Sequence, residues 1–233
     1  MKYIIIGLML SCGVMIDARV KNQSYFKYVP RNSRITTVMK DPYIVKISNF
    51  VNDEEIAELK RLAEPLLEHS ITGAGKQNTH RTSSSAFLNT CNSSVVKKIE
   101  ERAARMLGVP VEHVEGLQVV HYKAGQEYKY HYDYYPKDYE KEAGSQRVYT
   151  FFVYLNDLND DQKGGTEFPE LHLTIKPCKG TAAFWRNTKE EGVSQTFHSE
   201  MTGDPRMLHA GLPVAYGEKW GANIWIHDRA PKK

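Results

Sequence analysis

Between Val51 and Ser70 the apolar positions recur at helical spacing. Ile56, Leu59, Ala63, Leu66 and Leu67 fall on one face of "VNDEEIAELKRLAEPLLEHS", which predicts an amphipathic helix. Asn52 is placed to cap it, with Glu55 three residues on in a capping-box arrangement, and Pro65 should kink or end it. A second helix is predicted over 94–107. Val96, Ile99, Ala103, Met106 and Leu107 form its stripe, and Gly108 with Pro110 stops it. Both stripes read as ordinary packing faces.

The period then changes. "DPYIVKISNF" (41–50) alternates like a strand, and after residue 115 the chain becomes a run of short strand-like segments: "GLQVVHY", "RVYTFFVYL", "LHLTIKP", "GTAAFWR", "RMLHAGLPV" and "KWGANIWIH". Turn residues separate them at the spacing of an all-β sandwich or barrel. Helices first and a β-core afterwards make an α+β order. The expected core is a double-stranded β-helix, or jelly roll, with the N-terminal helices packed on one sheet.

Composition narrows the classes. The chain has 233 residues, 41% of them hydrophobic and 25% charged, the profile of a globular protein that buries a real core. A net charge of +3, with no dense Lys/Arg patch, argues against a nucleic-acid partner. Lys2 precedes an apolar run from Tyr3 to Ile16 that Asp17 ends, which is short for a membrane span and suits the core of a signal peptide. Because "IDA" is a poor cleavage site, an uncleaved signal anchor is the other option, with membrane attachment through this segment. The expected division is therefore 1–20 signal peptide or signal anchor, 21–42 lead-in, and 43–233 one catalytic domain, delivered to the secretory pathway in the endoplasmic reticulum lumen or anchored facing it. Of the three cysteines, only Cys91 and Cys178 lie beyond the first segment; their spacing requires no bridge, and so few thiols leave no cysteine-based metal site.

The candidate chemistry begins at "HYDYY" (131–135). In an extended strand His131 and Asp133 share a face, with Tyr128, Tyr130, Tyr132 and Tyr134 on the other. An imidazole and a carboxylate side by side supply two of the three ligands of a 2-His-1-carboxylate triad for Fe(II). Taken alone, the pair is equally an ordinary polar pair. Downstream, "MLHAGLPVAYGEKWGANIWIH" offers His209 on a strand-like segment and Lys219 ten residues later. Lys219 is a solvated turn residue or, if it points inward, a buried cation that needs an anion opposite it. The distal carboxylate of a metal-chelating 2-oxoglutarate would be such an anion.

The ordered series "HYD", "RVYTFFVYLND", "GGTEFP", "GTAAFW", "LHAGLPVAYGEKW" and "NIWIH" resembles the prolyl 4-hydroxylase catalytic domain of collagen, plant and viral type, from about residue 43 to 229. The resemblance implies a dioxygenase that uses Fe(II), 2-oxoglutarate and O2, with ascorbate as an expected cosubstrate, and hydroxylates C4 of peptidyl proline. It implies His131, Asp133 and His209 as iron ligands. Lys219 would grip the distal carboxylate, with Tyr122, Thr166 and Trp225 in the same pocket. Tyr128, Arg147 and His227 match positions associated with the peptide and its target proline. Lysine at 219, where lysyl and oxygen-sensing hydroxylases are expected to have arginine, points to the collagen or plant-type branch; the two cations clamp a carboxylate differently.

Fourteen tyrosines are many, and six lie within 128–139. They suit a sheet, and they also suit an aromatic groove for a polyproline II peptide. "YYPKDYEKEAGSQ" reads as a polar surface loop that could close over the peptide, and the Gly/Ser-rich loop before "HRTSSSAFL" (80–88) as a second lid. His69, His80, His113, His121, His172 and His198 have no ligand spacing and read as structural. The expected partner is a proline-rich peptide or protein, with no partner subunit. Two other readings stay open: a related oxygenase acting on another residue such as lysine, and a non-catalytic module that binds proline-rich peptides.

Overall fold

The computed structural model describes residues 25–71, 79–88, 93–189 and 202–232. The proposed signal segment, Cys91, His198 and most of the Gly-rich loop before "HRTSSSAFL" lie outside them. The described residues form twelve strands: β1 (Arg34–Met39), β2 (Ile44–Ser48), β3 (Glu68–His69), β4 (Ser84–Phe87), β5 (Gln118–Lys123), β6 (Tyr128–His131), β7 (Arg147–Tyr154), β8 (Thr166–Phe168), β9 (Leu173–Ile175), β10 (Ala182–Arg186), β11 (His209–Gly211) and β12 (Glu218–His227). Three α-helices join them: α1 (Asp53–Ala63), α2 (Ser94–Leu107) and α3 (Lys137–Ala143). The strands form an eight-stranded sheet in the order β1-β2-β10-β7-β12-β5-β4-β3 and a four-stranded sheet in the order β6-β11-β8-β9, all pairs antiparallel. This is the expected jelly roll.

Strand alternation explains both faces of the large sheet. Val119, Phe151, Val153, Phe184 and Ile224 turn toward α1 and α2, forming one core with Ile56, Leu59, Val96, Ile99 and Met106. Their neighbours Val120, Tyr122, Phe152, Tyr154, Ala183 and Trp185 turn toward the small sheet, where Phe168 and Ile175 complete a second core. A sheet covered on both faces reads as a continuous apolar run, as β7 and β10 do.

The helix signals hold in detail. Asn52 Oδ1 accepts from Glu55 N (2.8 Å) and Glu55 Oε2 accepts from Asn52 N (3.1 Å), the reciprocal box. Gly108 ends α2 in the left-handed conformation at φ 70°, where a side chain would be strained. Helix α1 stops at Ala63, and Pro65 sits in the single 3-10 turn that follows. That turn rotates Leu66 off the stripe and leaves it 45% exposed, contrary to the periodicity.

Two segments differ from the sequence reading. The polar lead-in supplies β1, an edge strand on β2 whose half-exposed residues carry no alternation signal. The polar loop after Pro136 contains α3, closed by Gly144 at φ 73°. None of its residues is buried, so no apolar stripe announced it. Among the described residues no helix is long and apolar enough to cross a membrane.

Candidate metal centre and cosubstrate pocket

Strands β6 and β11 bring two distant histidines together. His131 pairs with His209 in register, but Tyr128 pairs with Gly211, so three steps on one strand match two on the other. This bulge changes the predicted facing. Strict alternation would turn Tyr128 away from His131; instead its ring stacks on the His131 imidazole at 3.5 Å between centroids. Tyr130 and Tyr132 do face outward, at 48% and 38% exposure. Asp133 follows the strand, with its two carboxylate oxygens each 3.7 Å from one imidazole Nε2, of His131 and of His209.

The ligand atoms of His131, Asp133 and His209 lie within 4.8 Å of one another, and no other such group occurs among the described residues. His131 Nδ1 faces the Lys129 carbonyl (2.8 Å) and His209 Nδ1 faces the Met207 carbonyl (2.9 Å). A carbonyl only accepts, so each Nδ1 carries the proton and each Nε2 presents a lone pair to the centre. Burial, and then the neighbouring His209, push His131 down to about 3, which keeps it neutral. Burial alone would raise Asp133, but the two histidines and Arg147 hold its carboxyl below the usual range. Two imidazoles and one carboxylate on a concave face suit Fe(II) and leave coordination positions open.

Deeper in the same cavity lies Lys219, 1% exposed and opposite Tyr122 in the β5–β12 register. Its Nζ has no hydrogen-bond partner among the described residues and sits 5.2 Å from the ring centres of Tyr122 and Phe152. Burial pushes it down to about 7. An ammonium left unpaired there is costly, so the cavity is built for an anion. Thr166 Oγ1 accepts from Tyr154 Oη (2.8 Å) and lines the cavity, as does Trp225, whose Nε1 is also buried without a partner among the described residues. Gly211 contributes by what it lacks: a Cβ there would lie 3.4 Å from Tyr122 Oη and 3.8 Å from Lys219 Nζ, filling the space beside the cation. Together the triad and the orphan cation fit a metal chelated by a dicarboxylate such as 2-oxoglutarate.

Outside the cavity a groove of about 830 Å³ runs past Asp133, Tyr128, Arg147 and Trp225. Leu66, Ile71 and Phe87 line it, as do Tyr132, Tyr134, Tyr135, Pro136 and Tyr139. Arg147 lies flat on Trp225, 3.7 Å from its ring centre, and is held by both oxygens of Glu115 (2.7 and 2.6 Å). His227 does not reach the groove. Its side chain is buried behind Glu115, with Nε2 2.9 Å from Glu115 Oε2 and Nδ1 2.8 Å from Ser145 Oγ. Burial would raise the Glu115 carboxyl, but Arg147 and His227 hold it at about 2. Sequence reasoning missed Glu115 because it stands alone between Val114 and Gly116 with no spacing to mark it. It also missed Arg81, a buried guanidinium 4.8 Å from the Tyr128 ring centre, bonded to Gln118 Oε1 (2.9 Å).

Three of the other histidines take structural places, and His69 lines the groove. His121 turns away from Tyr122, stacks on Trp220 and bonds Glu218 (2.8 Å); His113 Nδ1 meets the His227 carbonyl; His172 closes a 3-10 turn. Cys178 is exposed and has no disulfide partner among the described residues.

A jelly roll with a His-x-Asp…His triad and a buried cation at the floor defines the 2-oxoglutarate- and Fe(II)-dependent oxygenases, and residues 117–227 match the 2OG-Fe(II) oxygenase superfamily. Probable prolyl 4-hydroxylase 3 of Arabidopsis thaliana is 34% identical, over 84% of this chain and 74% of that protein. Prolyl 4-hydroxylase subunit alpha-1 of Gallus gallus is 36% identical over 81% of this chain, but only 36% of that longer protein is covered. The crystal structure of a viral collagen prolyl hydroxylase from Paramecium bursaria Chlorella virus-1, in its 2-oxoglutarate complex, superposes with a TM-score of 0.63 at 31% identity, covering 79% of this chain and 95% of that one. The chain belongs to the prolyl 4-hydroxylase family within that superfamily, and Fe(II), 2-oxoglutarate and O2 are its cofactor and cosubstrates.

Proposed function

We propose that this protein hydroxylates C4 of proline residues in proline-rich or collagen-like chains, converting 2-oxoglutarate and O2 to succinate and CO2. The observation that carries the reading is the unpaired Lys219 ammonium at the floor of the cavity whose mouth holds His131, Asp133 and His209. Iron, when bound, supplies the oxidising chemistry, and the chain supplies position and shelter. His131, Asp133 and His209 hold the metal. Lys219 takes the distal carboxylate of 2-oxoglutarate, while Tyr122, Thr166 and Trp225 line its length. Arg147, flattened on Trp225 and fixed by Glu115, presents a rigid polar edge where the cavity meets the groove. Tyr128, packed on His131, limits how a ring can approach the metal. Small errors in that approach are expensive in rate, which gives these contacts their value.

The groove supports a peptide rather than a small molecule. Tyrosines, Phe87, Pro136, Leu66 and Ile71 line it among polar and charged groups, and its Glu115 and Arg147 neutralise each other. A pre-extended polyproline II segment loses little entropy on docking against such rings. Ascorbate fits as a protectant of the iron in uncoupled turnovers. The lysine-plus-apolar run at Lys2–Ile16 supports a secretory-pathway location, cleaved or anchored.

The test is mass spectrometry of proline-rich, collagen-like and lysine-bearing peptides after incubation with enzyme, Fe(II), 2-oxoglutarate and ascorbate. A gain of one oxygen on proline, assigned to C4, is expected. Oxygen on lysine instead would move the protein to a different substrate class, and peptide binding without any turnover would make it a binding module.

A further inference from the structure

Asp133 is held from behind by two residues that no ligand motif marks. Thr150, fully buried in β7, donates from Oγ1 to Asp133 Oδ2 at 2.7 Å. Asn187, fully buried just beyond β10, places its side-chain amide 2.9 Å from Thr150 Oγ1. The direction of this chain follows from donor counting. A hydroxyl has one proton, and an ionised carboxylate only accepts, so the proton belongs to Asp133 and the other partner of Thr150 must donate. Asn187 therefore turns Nδ2 toward Thr150 and Oδ1 away, where it has no partner among the described residues. An amide held with one polar atom unsatisfied in a buried site is a cost that the bond to Thr150 offsets.

The backbone leaves this pair little freedom. Thr150 sits at the centre of the large sheet, opposite Trp185 on one side and Trp225 on the other. Asn187 donates its own N–H to the Val148 carbonyl (2.8 Å) and accepts from Asp204 N (2.9 Å). Asp133 itself lies outside the strands, two residues beyond the end of β6, so no ladder hydrogen bonds fix its backbone. We propose that Asn187 and Thr150 form a one-way hydrogen-bond relay that locks the Asp133 carboxylate toward His131 and His209, making both positioning residues for the metal-dependent reaction. The inference rests on the reading of Asp133 as a metal ligand.

The test is metal affinity, measured without oxygen by Mn(II) titration and electron paramagnetic resonance, beside the visible spectrum of the Co(II)-loaded protein. Thr150→Val keeps the shape and removes the proton; it should weaken metal binding about 10- to 100-fold and shift the Co(II) bands, as loss of such an outer support does. Thr150→Ser restores the hydroxyl and should return affinity to within about threefold of the parent. Asn187→Leu frees the Thr150 rotor and should also weaken binding, by about tenfold. Wild-type affinity and an unshifted spectrum in a folded Thr150→Val protein would reduce the pair to packing. If that variant does not melt cooperatively, Asn187→Leu decides the same question: wild-type affinity there overturns the relay. His209→Ala separates the two readings: unaltered metal binding there removes the ligand assignment itself, whereas lost binding there with intact binding in Thr150→Val removes only the relay.

Discussion

His131 and His209 stand directly opposite each other across the β6–β11 pair, with their rings 4.2 Å apart and each Nδ1 on a backbone carbonyl. The two protons are thereby turned outward and the two lone pairs inward, toward Asp133. His209→Ala should therefore weaken Fe(II) binding by more than about 100-fold, beyond the loss expected of an outer partner alone. Cooperative melting should persist, because the surrounding β-core is untouched. Isothermal titration with metal and circular dichroism measure both, and full activity in this variant would remove the ligand assignment.

Lys219→Ala should leave metal affinity alone and raise the 2-oxoglutarate requirement at least about 30-fold. That corresponds to losing a buried, charge-assisted contact of ~2 kcal/mol or more. KM for 2-oxoglutarate, at saturating iron and peptide, is the readout. An unchanged KM would remove the clamp.

The same lysine predicts a pH dependence. Its folded value of about 7 lies below that of an unfolded lysine, roughly 10.4. Burying the charged form is a cost fully present below pH 7, and it fades as pH rises from 7 toward the unfolded value. The cosubstrate-free protein therefore gains stability from this group across that window, since the unfolded chain holds more protons. Binding 2-oxoglutarate takes the proton back, so its affinity should fall by up to about tenfold per pH unit above 7. Calorimetry in buffers of different ionisation heat should show proton uptake with 2-oxoglutarate and none with pyruvate, which lacks the distal carboxylate. A flat affinity between pH 7 and 9 would contradict the assignment.

Glu115 is tested by Glu115→Gln, which keeps the shape and discards the charge that fixes Arg147 and His227. Metal and 2-oxoglutarate binding should stay within about twofold, while kcat/KM for a proline-rich peptide falls about tenfold or more, the scale of one charged hydrogen bond. Thermal stability should also drop, because the half-buried Arg147 is left without its partner. Loss of 2-oxoglutarate binding instead would place Glu115 in the other half of the site.

Mutating the outer wall separates groove from sheet. Tyr139→Ala on α3 removes a ring 40% exposed, so stability should change by less than about 0.5 kcal/mol. Peptide KM should rise several-fold with kcat preserved, since the ring contributes binding shared by ground state and transition state. An unaltered KM would place the peptide away from Tyr139.

Much of this protein is determined locally. The helical stripe of α2, the Asn52–Glu55 box, the six short strand signals after residue 115 and the ordered motifs around His131, Asp133, His209 and Lys219 depend on periodicity, capping and residue type, which a sequence displays directly. Tertiary structure alone decided the rest. The β6 bulge, which depends on pairing with β11, turned Tyr128 into the cavity against its own alternation. Packing behind Glu115 drew His227 out of the groove. Glu115, Gly211, Thr150 and Asn187 gained their roles from neighbours that only sheet register supplies. A facing, a register and a desolvated cation are properties of pairs of strands, and no single stretch of chain contains them.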